Sequence, residues 1–449
     1  MIRHDQPDRS VLVSVSRKRP RSQPAEDVRS RWGWAEVVVW TDRMLTALEQ
    51  GVRGGKWFRL IDKVFSDLCL FAAARRVLAN RGAAGVDHVS VDDFDSRLSS
   101  ELRKLSESLR DGTYRPQAIR RVEIPKPGSK ELRPLGIPTV RDRVVQAALV
   151  KVLEPIFEAG FAEHSYGFRP GRSCRDALRR VDELIKAGYV HVVDADLKGY
   201  FDSIPHDRLL MRLQEKVADG RVLSLIELFL KARVLDGMSP WQPESGAPQG
   251  AVLSPLLSNV YLDPLDHLLV QHGFEMVRYA DDFVILCRTA SESQQALRLV
   301  VDWTQQNGLT LHPTKTQVVE VNDSGFDFLG YHFFDTRHWV SRKAYSQIKS
   351  KLRELTPRKS GVSLSVIIQR LNPVLRGWLQ YFQHSRPAVF QRLDSFVRRR
   401  LRSLLRCRHR RKGCARAGDN LIWRNAFFAE HGLFNLVAAH AKVCQSSLR

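Results

Sequence analysis

The stretch RYADDFVILC, Arg278 to Cys287, limits what this chain can fold into more than any other. Apolar runs at Phe274 to Val277 and Phe283 to Leu286 flank two adjacent acids, a pattern that predicts strand, tight turn, strand, with Asp281 and Asp282 near the bend. Neighbouring carboxylates at a hairpin tip repel each other unless water or a cation shares their charge. Taken alone, the tetrapeptide fits a solvated turn as well as a metal site. A second acidic strand, HVVDADLKGYF from His191 to Phe201, moves the balance. Strand alternation puts Asp194 and Asp196 on one face and Val193, Ala195 and Leu197 on the other, so acids from two strands can converge. Carboxylates arranged in that way around divalent ions are what in-line phosphoryl transfer requires.

Charge narrows the class of partner. A formal charge of +22 and a pI near 10.1 make the free protein self-repelling and point to a polyanion, with nucleic acid ahead of a membrane surface. With 449 residues the chain is too long for one core, and 43% hydrophobic residues are enough to fill several. No apolar run approaches the roughly 20 residues of a membrane span, and the N-terminus lacks a signal peptide's apolar region. The expectation is a soluble, cytoplasmic, nucleoid-associated bacterial protein with no membrane partner. Cysteines 69, 174, 287, 407, 414 and 444 are scattered, which suits a reducing compartment. Cys407, His409 and Cys414 lie close together but without a CxxC pair, so isolated thiols in a basic segment are the better reading than a zinc knuckle.

The segments Asp196 to Phe201 and Tyr279 to Asp282 resemble the catalytic palm of reverse transcriptases, specifically those of bacterial group II intron reverse transcriptase/maturases. The resemblance implies an α+β, right-hand polymerase of fingers, palm and thumb, with a helical maturase thumb. It implies catalysis by Asp196, Asp281 and Asp282, and two Mg²⁺ ions held by those acids and by Leu197. Phe201 takes the position of the aromatic ring that packs under the incoming sugar and rejects a 2′-hydroxyl, with core packing as its other reading. In SGAPQGAVLSPLLSNVYLDPLD, Ser245 to Asp266, Gln249 bonds the nucleotide or template without reading its identity. Ala251 stands where the family usually has glycine. Lys315, in GLTLHPTKT, neutralises or protonates the leaving pyrophosphate, and GFDFLGYHF, Gly325 to Phe333, resembles a primer grip.

The rest of the chain falls into order around the palm. Residues 1–36 read as a disordered basic tail, with the cluster Arg17, Lys18, Arg19 and Arg21. Residues 37–190 hold the N-terminal extension and fingers: a helix from Thr41 to a stop at Gly51, another through Phe71 to Leu78, and a hairpin at 113–138 around Pro127 to Lys130. Lys126 and Arg133 lie on the hairpin's two arms, where the family grips the triphosphate. A periodic helix runs from Arg141 to Phe157, and SYGFRPGRS, Ser165 to Ser173, offers Arg169 and Arg172 to template phosphates. The palm spans 191–342 with interleaved finger segments; within it, 206–237 reads as helix, and Asp263 and Asp266 as exposed helix positions.

From Lys343 the sequence turns to Arg-rich amphipathic helices. LNPVLRGWLQYF, Leu371 to Phe382, resembles the maturase-specific thumb, assigned to 343–406, and residues 407–449 resemble a basic DNA-binding region. Arg376 belongs to the thumb. In the helix from Val389 to Arg406, Arg398, Arg399 and Arg402 line a face of one sign without balancing acids, which fits a phosphate track. The partners implied are group II intron RNA, a DNA target and primer, and dNTPs; oligomeric state is not legible. The endonuclease of the His-Asn-His type found in many relatives is not expected. Two other roles fit the same family: an RNA-binding splicing cofactor with little need for polymerisation, and a domesticated reverse transcriptase in phage defence.

Overall fold

The computed structural model describes residues 28–446 except 53, 126–131, 237–238, 412 and 414. Lys126, the turn at Pro127 to Lys130, the N-terminal basic cluster and Cys414 therefore lie outside the described residues. The helix Val28–Trp32 already belongs to the folded body: Trp32 is buried, and Arg31 pairs with Glu49 at 2.7 Å. The expectation of a disordered tail as far as residue 36 is thus corrected for residues 28–36, because an indole and its ion-paired neighbours dock on the helix Asp42–Gln50. That helix starts at Thr41, whose hydroxyl accepts the Met44 N–H, and stops at Gly51, as its capping chemistry predicts.

Eleven strands are described, in three sheets. In chain order they are β1 (Ile119–Pro125), β2 (Leu132–Ile137), β3 (His191–Asp196), β4 (Val234–Asp236), β5 (Ser239–Trp241), β6 (Glu275–Tyr279), β7 (Asp282–Cys287), β8 (Gln317–Glu320), β9 (Phe326–Phe328), β10 (Tyr331–Phe334) and β11 (Arg337–Val340). The palm sheet has the order β6-β7-β3-β8, and the fingers sheet the order β2-β1-β4-β5. Residues 206–237 were expected to be helical throughout; the helices His206–Gln214 and Gly220–Leu230 are followed instead by β4, which pairs in parallel with β1. That strand carries the palm's chain back into the fingers and covers the start of β1, at Ile119 and Arg120.

Alternation along β3 covers both faces of the palm sheet. Val193 and Ala195 join Phe283, Ile285, Ala296, Val300 and Trp303 in the main core, under the helices Ser254–Gln271 and Ala290–Gln306. Val192 points the other way, with Val284, Leu286, Ala177 and Val181, under the helix Cys174–Lys186. Asp194 and Asp196 share that second face but lie toward the end of the strand, where the apolar cover stops.

The thumb has its own core. Ile348, Leu371, Leu375, Phe390, Leu393, Leu401 and Leu404 come from the helices Arg342–Leu355, Leu364–Phe382 and Pro387–Arg408, and Trp423, Phe428 and Leu436 close the same cluster. Residues 343–446 therefore pack as one unit, with no break in burial at residue 406. No helix among the described residues is long and apolar enough to cross a membrane. The palm, fingers and helical thumb together make the right-hand α+β architecture.

Candidate active site

The register of the palm strands assembles the acids. Tyr279 pairs with Asp282 across β6 and β7, so Ala280 and Asp281 form a two-residue turn, with Ala280 in the left-handed region at φ 61°. On the other side β3 runs antiparallel to β7, and its last pair sets Asp196 opposite Asp282. Crowding shows in the acid strengths. Burial and the Asp196 charge raise Asp281, against a pull from Arg133. Asp282 is open to solvent at its edge, yet the protein packed around its carboxyl and the charges of Asp194, Asp281 and Asp196 push it up to about 7. Burial likewise pushes Asp194 up to about 6, although Gln317 donates to it.

A cluster whose members oppose one another's ionisation suits a multivalent cation with oxygen ligands. Among the described residues no group of three or more His, Cys, Asp and Glu side chains is already arranged to hold a metal ion. Asp196 is instead turned toward Lys315, Nζ to Oδ2 2.7 Å. The fit rests on the donor set and the register, which bring Asp196, Asp281 and Asp282 to one tip. The following backbone is fixed too: Leu197 bridges Leu311, and the His312 N–H donates to the Asp196 carbonyl at 2.7 Å.

A buried polar strut holds the turn from beneath. Arg278 has no exposed surface; its Nε and Nη2 bind the Asp266 carboxylate at 2.8 and 2.5 Å, and its Nη1 donates to Asn259 Oδ1 and the Ala280 carbonyl, both at 2.9 Å. Asn259 in turn donates to the Gly167 carbonyl at 2.8 Å. Gly167 lies so near the turn that a Cβ there would meet the Ala280 nitrogen at 2.2 Å. Asp266 is therefore not the exposed position expected from sequence: it is 3% exposed and fully engaged. Its signal was present, since Leu262, Leu265 and Leu269 put that helix face in the core, where an acid needs a partner.

With this geometry in place, similarity to known proteins decides the family. Residues 124–333 match the reverse transcriptase (RNA-dependent DNA polymerase) family, and residues 345–421 match the group II intron maturase-specific domain. Protein YkfC of Escherichia coli (strain K12) is 33% identical over 354 residues, which cover 70% of this chain and 92% of YkfC. Group II intron-encoded protein LtrA of Lactococcus lactis subsp. cremoris is 39% identical over 219 residues, 47% of this chain and 36% of LtrA. Among solved structures, a chain of a partial Cas6-RT-Cas1--Cas2 complex is 27% identical and covers 55% of this chain and 41% of that one, with a TM-score of 0.36. The chain belongs to the group II intron reverse transcriptase/maturase family. It is an RNA-directed DNA polymerase, its substrates are nucleic acid, and its family uses divalent metal ions.

Between the reverse transcriptase's fingers strands and the Pro248-Gln249-Gly250 loop lies a cleft of about 240 Å³, lined by Arg121, Pro134, Gly136, Asp202, Trp241 and Gln249 among others. The Gly136 N–H donates to the Gln249 carbonyl at 2.7 Å, so the Pro248-Gln249-Gly250 loop is tied to β2. Gly250, at φ 100°, is required there, because a Cβ would meet the Gly136 carbonyl at 2.7 Å. Ala251 in the place of the family's glycine is accommodated in a buried position. Arg133 is exposed on β2, and its charge acts on Asp281 and Asp202. Phe201 is half-buried, against the main core and edge-on to Tyr200 at 5.4 Å. Arg121 was not singled out from sequence; only β-strand register puts it in the cleft.

Two arginines expected on nucleic acid are corrected. Arg169 is 7% exposed; it grips Glu158 at 2.7 Å and donates to the carbonyls of Ala162 and Ser165, so it holds its loop and has no reach toward a template. Arg402 is also 7% exposed, with Nε on the Trp423 carbonyl and Nη2 on Asn425 Oδ1, both at 2.9 Å. Arg172 is half-buried, donates to the Glu163 carbonyl and lies over the Tyr166 ring. Arg376 is exposed above Phe434, Arg399 is exposed, and Arg398 is half-buried.

Proposed function

We propose that this enzyme copies a group II intron RNA into DNA and, through its thumb, binds that RNA to assist splicing and retrohoming. The observation that carries the reading is the β3–β7 register, with Asp196 opposite Asp282 and Asp281 in the turn, in a chain that continues into a maturase-type thumb. Two Mg²⁺ ions held by Asp196, Asp281, Asp282 and the Leu197 carbonyl would supply activation of the primer hydroxyl and charge neutralisation on the departing pyrophosphate. Arg133 on β2 orients the triphosphate as a planar fork. Gln249 meets the nascent pair from a loop fixed to the fingers, and Phe201 stands under the sugar. Lys315, already beside Asp196, is placed to neutralise or protonate pyrophosphate.

The test is cDNA synthesis on a primed RNA template. Asp281→Ala and Asp196→Ala should each abolish it while RNA binding persists, because only transition-state stabilisation is removed. A loss of less than about tenfold would remove these residues from catalysis. Phe201→Ala should raise ribonucleotide incorporation relative to deoxyribonucleotide; an unchanged ratio would leave the ring a core residue.

A further inference from the structure

Between the thumb helix Pro387–Arg408 and the segment from Ala415 to Asn425 lies a cavity of about 570 Å³. The helix contributes Ser395, Arg398, Arg399 and Arg402 to its wall, and the later segment contributes Arg416, Asn420, Arg424 and Asn425. No acid among the described residues lines it. The nearby carboxylates are engaged elsewhere. Asp419 takes Arg406 at 3.0 Å, has Arg411 at 3.9 Å, and accepts the Arg416 backbone N–H. Asp394 accepts the N–H groups of Leu436 and Val437 and so caps the helix Leu436–Ser446. Arg398, Arg399, Arg416 and Arg424 make no described ion pair, and Arg402, buried at the cavity's edge, is disfavoured in its charged form by burial and by Arg398.

Guanidinium groups of one sign converging on one concavity repel each other unless an anion sits between them. The planar fork of each donates two parallel N–H groups, a match for phosphate oxygens. The volume falls within the ~300–1,000 Å³ of small-molecule sites and exceeds what a single phosphate fills. No aromatic ring is present among the described lining residues to stack on a base.

We propose that this cavity is a phosphate-binding site that seats the sugar–phosphate backbone of a nucleic acid strand, with Arg416 and Arg424 facing Arg398 and Arg399 across it. The proposal rests on the thumb's nucleic-acid role and goes beyond it, because it replaces a track along one helix with a discrete site that the C-terminal segment completes.

The experiment uses the full chain and fluorescence anisotropy with a short single-stranded RNA, a DNA of the same sequence, and inorganic phosphate as competitor, over a KCl series. R416Q/R424Q should lose about tenfold in RNA affinity at low salt, with the log–log salt slope flattened by about 0.7 for each phosphate contact removed. DNA should weaken in parallel, since phosphodiester and not 2′-hydroxyl is recognised. R416K/R424K, which keeps the charge but not the fork, should recover the slope and only part of the affinity. R103Q, on the remote exposed face of the helix Leu98–Arg110, should match the parent. Equal affinity and slope for R416Q/R424Q and parent would overturn the site while leaving RNA binding by the thumb in place. Loss of phosphate competition without change in RNA binding would also overturn it, as a free-anion site only. A parent that binds RNA without salt dependence would remove the underlying thumb reading as well.

Discussion

Arg278 in the palm has no exposed surface and gives all three guanidinium nitrogens to protein acceptors, whereas Arg399 in the thumb is exposed on a cavity wall with no carboxylate of the described residues at ion-pair distance. One region carries its arginine as architecture: a cation buried beneath a turn that must present two acids. The other carries its arginines as unsatisfied valence, stable in water only because solvent and counterions screen them. In a chain of charge +22, the sign of a residue therefore says little about its task. What separates the two is whether an acid has been provided nearby, as Asp266 is for Arg278 and Glu158 for Arg169.

The sharpest way to break this contrast is at Arg278. Arg278→Met strands the Asp266 carboxylate in the core and should cost about 3–5 kcal/mol, read from denaturant midpoints. Adding Asp266→Leu replaces the pair with apolar volume and should return most of that stability. Turnover should not return with it, because the Ala280 carbonyl and Asn259 still lack the donor that sets the turn carrying Asp281. If the double variant regains both stability and kcat, Arg278 is packing alone and holds nothing in position.

How much of this was legible beforehand depended on distance along the chain. The hairpin at Asp281 and the helix from Thr41 to Gly51 are local, written in turn residues, alternation and end signals, and they form as read. β4 was not legible, because three residues after a helix show no period. The partners of Arg169 and Arg278 lie 11 and 12 residues away across turns, so sequence displayed both cations without their acids. Exposure was the default for a charged residue, and it failed wherever the surrounding apolar pattern already required burial. The thumb's boundary failed for a related reason: a rise in basic residues after Cys407 looked like a tail, while Trp423, Phe428 and Leu436 were anchoring it to the core.

Within the thumb, Arg402 is buried as Arg278 is, but it holds a carbonyl and an amide in place of a carboxylate. Arg402→Gln leaves the Trp423 carbonyl without its donor and should cost about 1–3 kcal/mol. A similar test on the acid side uses Glu154, half-buried near Arg76, Lys151 and Glu158, whose carboxyl burial pushes up to about 7. An acid held above its ordinary 4.5 keeps a proton that the unfolded chain has released, so stability should fall as pH rises from about 4.5 to about 7 and then level off. Glu154→Gln should flatten that part of the profile, measured as urea midpoints across pH. A profile identical to the parent's would mean that Glu154 ionises freely in the fold.

The smallest expected stability effect is at Arg399, and it sharpens the comparison by being small. The side chain is exposed and near Phe396, with its cation 5.9 Å from the ring centroid, so Arg399→Gln removes a marginal ring contact and no ion pair among the described residues. Glutamine keeps helix propensity close to arginine's. Stability should therefore stay within about 0.5 kcal/mol of the parent, the usual range for surface substitutions. If arginine in the thumb serves a ligand, the change should appear in the salt dependence of RNA binding, by about 0.7 of a log unit per log of salt for one lost single-strand phosphate contact. Melting temperature and binding slope would then move in opposite rank order for Arg399→Gln and Arg402→Gln. Should both variants instead lose stability together and leave the slope alone, the exposed arginines would be scaffold like the buried ones, and burial would no longer divide the two kinds.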